Sequence, residues 1–181
     1  MGVDELITAR LRLRPWREDD VGALAAINRD PEVTRYLNRP VDDAAVEAFF
    51  GLVTEHWAQH GFGFWAVDVC GAETAPQFIG FAGVAYPTFL PELAHRPEIG
   101  WRLARKVWGR GYATEAARAA RDDAFTRLKL PELISIIRAE NTRSQRLART
   151  LGMTPEQTVF NPVLNRATDI WQISLFSAGP A

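Results

Sequence analysis

The stretch Glu98–Ala120, EIGWRLARKVWGRGYATEAARAA, decides how the chain reads. It opens as a strand, EIGWRL, passes through WGRG with two glycines one residue apart, and continues into an alanine-rich segment. From Tyr112 to Leu128 the residues Ala113, Ala116, Ala117, Ala120, Ala124 and Leu128 fall on one helical stripe, and side chains that small predict a helix lying close against a sheet. Gly109 and Gly111 therefore stand where a strand becomes a helix. The first N–H groups of a helix lack internal partners, and the helix dipole makes that end positive, so the junction has the makings of a phosphate or pyrophosphate pocket. Without a Cβ, each glycine can take positive φ and let an anion approach the backbone.

Working outward, the same periodicities lay out the rest of the chain. ARLRLRPW alternates Leu11 and Leu13 with arginines, the pattern of a half-buried strand closed by Pro15. EDDVGALAAI predicts a helix with an acidic first turn and Val21, Leu24, Ala25 and Ile27 on one face, broken by NRDP. VDDAAVEAFFGLVTEHWAQH predicts a second helix ending at Gly61 and Gly63. FWAVDV and QFIGFAGVAY read as an antiparallel hairpin across CGAETAPQ. The irregular, proline-rich PTFLPELAHRP leads into EIGWRL. LISIIRA has the continuous apolar character of a strand covered on both faces, ENTRSQRLARTLGM reads as a short helix stopped by Gly152, and ATDIWQISLF belongs to a closing antiparallel pair. The expectation is an α/β fold, one domain over residues 1–181, with a mixed, mostly antiparallel central sheet flanked by helices.

Composition narrows the function. A net charge of −1 over 181 residues provides no general attraction to nucleic acid or an anionic membrane, so any anion site is local. No apolar run approaches a membrane span, and the reading is of a cytoplasmic protein with neither nucleic acid nor membrane as partner. The single cysteine, Cys70, excludes an internal disulfide and a Cys-rich metal site. His56 and His60 have helical i, i+4 spacing but lack the Glu of a zinc-hydrolase helix, and no metal is expected.

Three kinds of phosphate loop compete for the glycine junction. A Walker loop needs Lys and Ser or Thr after its last glycine, where this chain has Tyr112 and Ala113. A dinucleotide fingerprint needs three glycines on the first strand of a parallel unit, whereas two glycines here follow several strands. KVWGRG fits the acyl-CoA loop, Arg or Gln, two residues, Gly, one residue, Gly or Ala, except that Lys106 holds the first position. With EIGWRL before it and YATEA after it, this segment resembles the GNAT superfamily of N-acetyltransferases, in particular its RimJ/RimL-like branch. TARLRLRPWREDD, FIGFAGV and AENTRSQRLARTLGM resemble that branch's opening strand and helix, its third strand and its last strand-to-helix segment.

The resemblance implies acetyl-CoA as co-substrate and an amine acceptor, a protein N-terminus or a small molecule. It implies that backbone groups of Trp101, Arg102 and Leu103 bond the pantetheine arm, and that the N–H groups of Gly109, Arg110, Gly111, Tyr112, Ala113 and Thr114 take the pyrophosphate. Arg102, Arg105, Lys106 and Arg110 crowd the segment; some can meet CoA phosphates, while for at least two a solvated surface role is the expectation. Asn141 and Ser144 match the family's Asn-x-x-Ser motif, which implies pantetheine binding by Asn141 and proton donation to the thiolate by Ser144. The same two residues also suit a helix start, and cap and chemistry can coexist. For the base, Glu98 at the start of the fourth strand stands beside the expected thioester end, Asp169 is a second candidate, and an α-amine needs less help than a lysine. Of the aromatic residues Phe62, Phe64, Trp65, Tyr86, Phe89 and Trp101, most read as core, and the loop holding Phe89 and His95 is the better acceptor-binding segment. The competing reading is an acyl-CoA-binding or sensing domain without turnover.

Overall fold

A computed structural model describes residues 5–37, 42–71, 76–161 and 166–175. Its strands are β1 (Leu6–Ile7), β2 (Leu11–Arg14), β3 (Phe64–Val69), β4 (Gln77–Ala85), β5 (Glu98–Leu103), β6 (Glu132–Ile137), β7 (Thr154–Asn161) and β8 (Arg166–Ser174). They form one sheet in the order β1-β2-β3-β4-β5-β6-β8-β7. Every neighbouring pair is antiparallel except β5 with β6, so the sheet is mixed and mostly antiparallel. The helices are α1 (Asp19–Asn28), α2 (Pro31–Thr34), α3 (Asp43–His60), α4 (Tyr112–Thr126) and α5 (Thr142–Thr150).

Two short elements lie outside the sequence reading. β1 has two residues, too few to show a period, and NRDP, read as a break, starts one helical turn because the Asp30 side chain accepts from the Glu32 N–H at 2.9 Å with Pro31 at the first helical position. α4 ends at Thr126, two residues before the alanine stripe does, and Lys129 beyond it takes a left-handed φ of 56°. The FWAVDV–QFIGFAGVAY hairpin pairs antiparallel as expected, while residues 72–75 of its connection lie outside the described residues. No described helix is long and apolar enough to cross a membrane.

Alternation along the strands sorts the side chains into two faces. Ile99 and Leu103 of β5, with Leu133 and Ile137 of β6, pack under α4 and α5, where Ala116, Ala117, Ala120 and Ala124 are fully buried. Methyl-sized side chains at these four places let α4 lie close to the strands. On the opposite face, Leu24, Ala25 and Val46 from α1 and α3 cover Phe81, while Leu90 and Leu93 of the connection before β5 cover Ile134 and Ile170.

The arginines of β2 alternate as a solvent-facing row should, yet Arg14 is 4% exposed, beneath α1. Its guanidinium donates to Asp68 on β3 at 2.7 and 2.9 Å and to Asp20 on α1 at 2.7 and 2.8 Å, and both carboxylates are as buried as it is. Asp20 also accepts from the Arg17 N–H at 2.8 Å, so one charge cluster joins strand, strand and helix start. Paired hydrogen bonds donated to Asp20, against the cost of burial, hold the Arg14 pKa above its ordinary value.

Because removing one member of a buried ion cluster leaves the others uncompensated, Arg14→Met is expected to cost about 3–5 kcal/mol of stability. Urea unfolding followed by tryptophan fluorescence measures it; a loss below about 1 kcal/mol would mean that solvent reaches the two aspartates.

Candidate active site

β5 and β6 leave the sheet's plane of pairing as a wedge. β4 and β5 match residue for residue from Ala85↔Glu98 to Gly80↔Leu103, and β6 and β8 match from Glu132↔Ser174 to Ile137↔Asp169. Between β5 and β6 there is one matched pair, Glu98↔Ile134, next to the Ile134 N–H bond to the Pro97 carbonyl at 2.9 Å. Beyond Glu98, the edge of β5 that faces β6 has no strand partner among the described residues. Backbone N–H and C=O groups along it are therefore available to a ligand with peptide-like polarity.

The closed end of the wedge is clamped. Arg96 donates to Glu132 at the start of β6 through Nε and Nη2, at 2.8 and 2.7 Å, and through Nη1 to Glu156 on β7 at 2.9 Å. A bidentate Arg–carboxylate fork fixes both distance and orientation, and it holds Glu132 below the ordinary carboxylate range. The open end leads from β5 into the glycine junction and from β6 into Asn141, the N-cap of α5. Both connections leave the carboxyl ends of parallel strands, where open α/β sheets bind ligands. The two sides meet where the Arg143 guanidinium of α5 lies 4.6 Å from the ring centroid of Trp108, whose indole N–H donates to the Leu103 carbonyl at 2.8 Å.

At the glycine junction the backbone does what the sequence requires. Gly109 and Gly111 have φ of 75° and 81°, and Gly111 is the N-cap of α4 with no side chain hydrogen-bonded over the helix end. An acidic residue, Glu115, stands in the first turn of a helix whose N-terminus is suited to an anion, and the structure neutralises it. Glu115 Oε1 accepts from the Thr8 hydroxyl at 2.6 Å and from the Arg10 N–H at 2.9 Å, and Oε2 accepts from Arg10 Nε at 2.7 Å. Arg10 also donates to the Arg110 carbonyl at 2.9 Å and covers the Tyr112 ring at 4.6 Å. Partial burial pushes the Glu115 pKa up, but the bonds from Thr8 and Arg10 outweigh it and the net shift is downward.

The residues expected from sequence distribute over this wedge as follows. Trp101 and Leu103 point to the α4 face, Trp101 packing against both hydrophobic clusters on that face. The Arg102 side chain points to the other face, where it donates to Asn28 at 3.1 Å and lies over Phe81, and Arg105 pairs with Asp30 at 3.7 Å; neither guanidinium joins the glycine turn. Lys106 and Arg110 are exposed beside it. The N–H groups from Gly109 to Thr114 include the first turn of α4. Asn141 caps α5 by accepting from the Ser144 N–H at 3.2 Å, and Ser144, half-buried in the first turn, keeps its hydroxyl without a partner among the described residues. Glu98 is half-buried at the closed end, on the face opposite Ser144 by strand alternation. Asp169 is one strand removed, on β8, and accepts from the Thr158 hydroxyl at 2.9 Å. Phe62 and Trp65 are core, Phe64 and Tyr86 are half-buried, and Phe89 is 41% exposed on the connection before β5, with His95 exposed there too.

Sequence reasoning missed Thr8, Arg10 and Glu115, since their bonds span more than a hundred residues. The one local signal was an acid inside a turn meant for an anion, which calls for a cation nearby.

A profile described as an acetyltransferase (GNAT) domain matches residues 10–154. Over 96% of each chain, the protein is 29% identical to p20 of Bacillus licheniformis, an uncharacterized N-acetyltransferase. The acetyltransferase from Agrobacterium tumefaciens superposes with a TM-score of 0.81 at 28% identity, over 96% of this chain and 95% of that one. RimJ of Mycobacterium smegmatis, solved with CoA-disulfide, shares the fold at a TM-score of 0.73 and 19% identity, over 94% of this chain and 85% of that one.

Because the folded-state pKa of Glu115 is depressed, its contribution to stability is present above the ordinary carboxylate value of about 4.3 and is lost as pH falls through the lowered one. Glu115→Gln is therefore expected to melt earlier than the parent at neutral pH, with the gap closing as pH falls below the ordinary carboxylate range. A gap independent of pH in differential scanning calorimetry would exclude the charge as its origin.

Proposed function

The chain belongs to the GNAT acetyltransferase family, and on that premise we propose that it transfers the acetyl group of acetyl-CoA to a primary amine by direct attack in a ternary complex. The observation that carries this reading is the wedge: an unpartnered β5 edge ending in a glycine turn whose helix N-terminus has no capping side chain. Such an edge suits the two amides of a pantetheine arm, and the N–H groups from Gly109 to Thr114 suit its pyrophosphate. Lys106 and Arg110 are the cations left at the turn for the phosphates, and Trp101 and Leu103 serve through their backbone, whereas the Arg102 N–H and C=O lie on the β4 side of the strand, paired with Phe81. The RimJ/RimL-like character of the motifs belongs to the same proposal, supported by the fold shared with RimJ.

In the reaction the amine nitrogen attacks the thioester carbonyl, the C–N bond forms and the C–S bond breaks. The amine gives up a proton to Glu98, directly or through water, and the departing thiolate takes one through the Ser144 hydroxyl, which regains it from solvent. Their opposite faces fit these roles, since the amine approaches the carbonyl and the thiolate leaves it along different directions. A thiol with a pKa of about 8.5 is a fair leaving group, so a single hydroxyl donor is enough help. Cys70 is exposed at the end of β3, two strands from β5, which favours direct transfer over an acyl-cysteine relay. The acceptor, a protein N-terminus or a small amine, enters on the face of α3 and of the connection carrying Phe89 and His95.

Thiol release from acetyl-CoA with peptides, amino acids, polyamines and aminoglycosides tests the activity; binding without release for any amine would favour an acyl-CoA-sensing domain. Ser144→Ala is expected to lower kcat by roughly tenfold or more with little change in KM for acetyl-CoA. Glu98→Gln should lose most at low pH, where the amine is protonated, and an unchanged pH–rate profile would pass the base role to Asp169 or water.

Gly111→Val should weaken CoA binding at least tenfold in calorimetry, because a β-branched residue resists positive φ at a cost of about 1–2 kcal/mol and its side chain intrudes on the turn. Unchanged affinity would leave the glycines a turn-forming role alone.

A further inference from the structure

The connection 86–97 enters the acceptor face between two strands that both end at Glu98's level, and its two ends are held differently. At its far end Pro97 accepts from Ile134, and Arg96 forks onto Glu132. At its near end the β4–β5 pairing stops at Ala85↔Glu98, and the next backbone donor, the Tyr86 N–H, leaves the sheet to bond His56 Nε2 at 3.0 Å. His56 lies on α3, and its other nitrogen, Nδ1, meets the Phe62 carbonyl at 2.8 Å. An imidazole that accepts at Nε2 and faces a carbonyl at Nδ1 has one consistent state, neutral with the proton on Nδ1. Protonation at Nε2 would set an N–H against the Tyr86 N–H and break the bond.

We propose that His56 is a positioning residue for the acceptor half of the site: as a neutral imidazole it fixes the exit of the 86–97 connection through Tyr86, and with it the setting of Glu98 on the adjoining strand. This rests on the transferase reading for its consequence in catalysis, though not for the hydrogen bond itself. The titratable side chains against the ring are His60, one turn on along α3 with ring centroids 4.4 Å apart, and Tyr86 from the connection at 5.8 Å; Phe62, from the α3–β3 turn, is uncharged. Burial first, and the neighbouring His60 second, lower the His56 pKa despite the opposing Phe62 carbonyl. A depressed histidine pKa means that the bond's contribution is fully present above the unfolded value of about 6.5 and is lost as pH falls through the folded one. The acceptor side is thus set at neutral pH and loosens in acid.

Two amide variants separate the two bonds. In His56→Asn the amide nitrogen overlies Nδ1 and can still reach Phe62, but nothing accepts from Tyr86. In His56→Gln the longer side chain brings an amide oxygen to the Nε2 position. Amide hydrogen exchange at Tyr86, corrected for intrinsic pH dependence, is expected to quicken roughly five- to tenfold in His56→Asn, and to quicken in the parent as pH is lowered from ~7.5 until His56 protonates. His56→Gln should restore protection across that range. Steady-state kinetics with acetyl-CoA and either spermidine or a serine-initiated tetrapeptide should show a raised amine KM for His56→Asn, rescue by Gln, and an unchanged acetyl-CoA KM. Equal Tyr86 exchange in the parent and His56→Asn overturns the proposal, as does an amine KM that does not move while the parent turns over. If the parent turns over neither amine, the transferase reading is what fails for them, and the carboxyl carbon shift of Glu98 in NMR replaces the kinetic arm: a titration identical in parent and His56→Asn overturns the positioning role.

Discussion

Two parallel strands that touch at one residue pair and then part impose an accounting problem on the backbone. Buried peptide groups must find partners, and a strand edge that turns away from its neighbour leaves its N–H and C=O groups to water or to a ligand. Everything around the β5–β6 wedge manages that opening. Arg96 with Glu132 and Glu156 holds the closed end, Trp108 and Arg143 meet across the open end, and α4 lies beneath with its N-terminus at the mouth. The glycines at 109 and 111 complete the scheme, because a side chain over the helix end would occupy the place an anion needs.

The charge arrangement follows from the same opening. A helix start that is to hold an anion gains from free N–H groups and loses from a nearby carboxylate. Glu115 stands in that first turn nonetheless, and its charge is spent on Thr8 and Arg10, which tie the turn to the start of β2. Of the four cations that crowd the segment in sequence, Arg102 and Arg105 are directed to Asn28 and Asp30. Position along the chain put four cations near the turn; strand alternation and neighbouring acids decide which remain there.

This bears on what a sequence can reveal. α4, the strand 132–137 and the 64–85 hairpin were legible because local periodicity and burial coincide in them: of the stripe predicted to face the sheet, Ala116, Ala117, Ala120 and Ala124 are buried and Ala113 and Leu128 half-buried. Asn141 as a cap was legible for the same reason, its bond to Ser144 being three residues long. Arg14 was not, since RLRLR looks like a wet edge until Asp20 and Asp68 arrive from other elements. His56 was weighed as a metal ligand by its spacing to His60, and its actual partners are backbone groups at 62 and 86. The parting of β5 from β6 leaves no mark on either strand, for each is regular along its own length and the divergence exists between them.

α4 has a mechanical meaning beyond the pocket it opens. One hydrophobic cluster gathers residues of β2, β3, β4 and β5; the other already crosses the wedge, taking Val84 of β4 and Ile99 of β5 together with Leu133 and Ile137 of β6, and α4 contributes Ala116 to the first and Ala117, Ala124 and Phe125 to the second. It acts as a splint along a seam. The two halves of the sheet are thus coupled less by hydrogen bonding, which is thinnest at β5–β6, than by side chains packed beneath one alanine-faced helix.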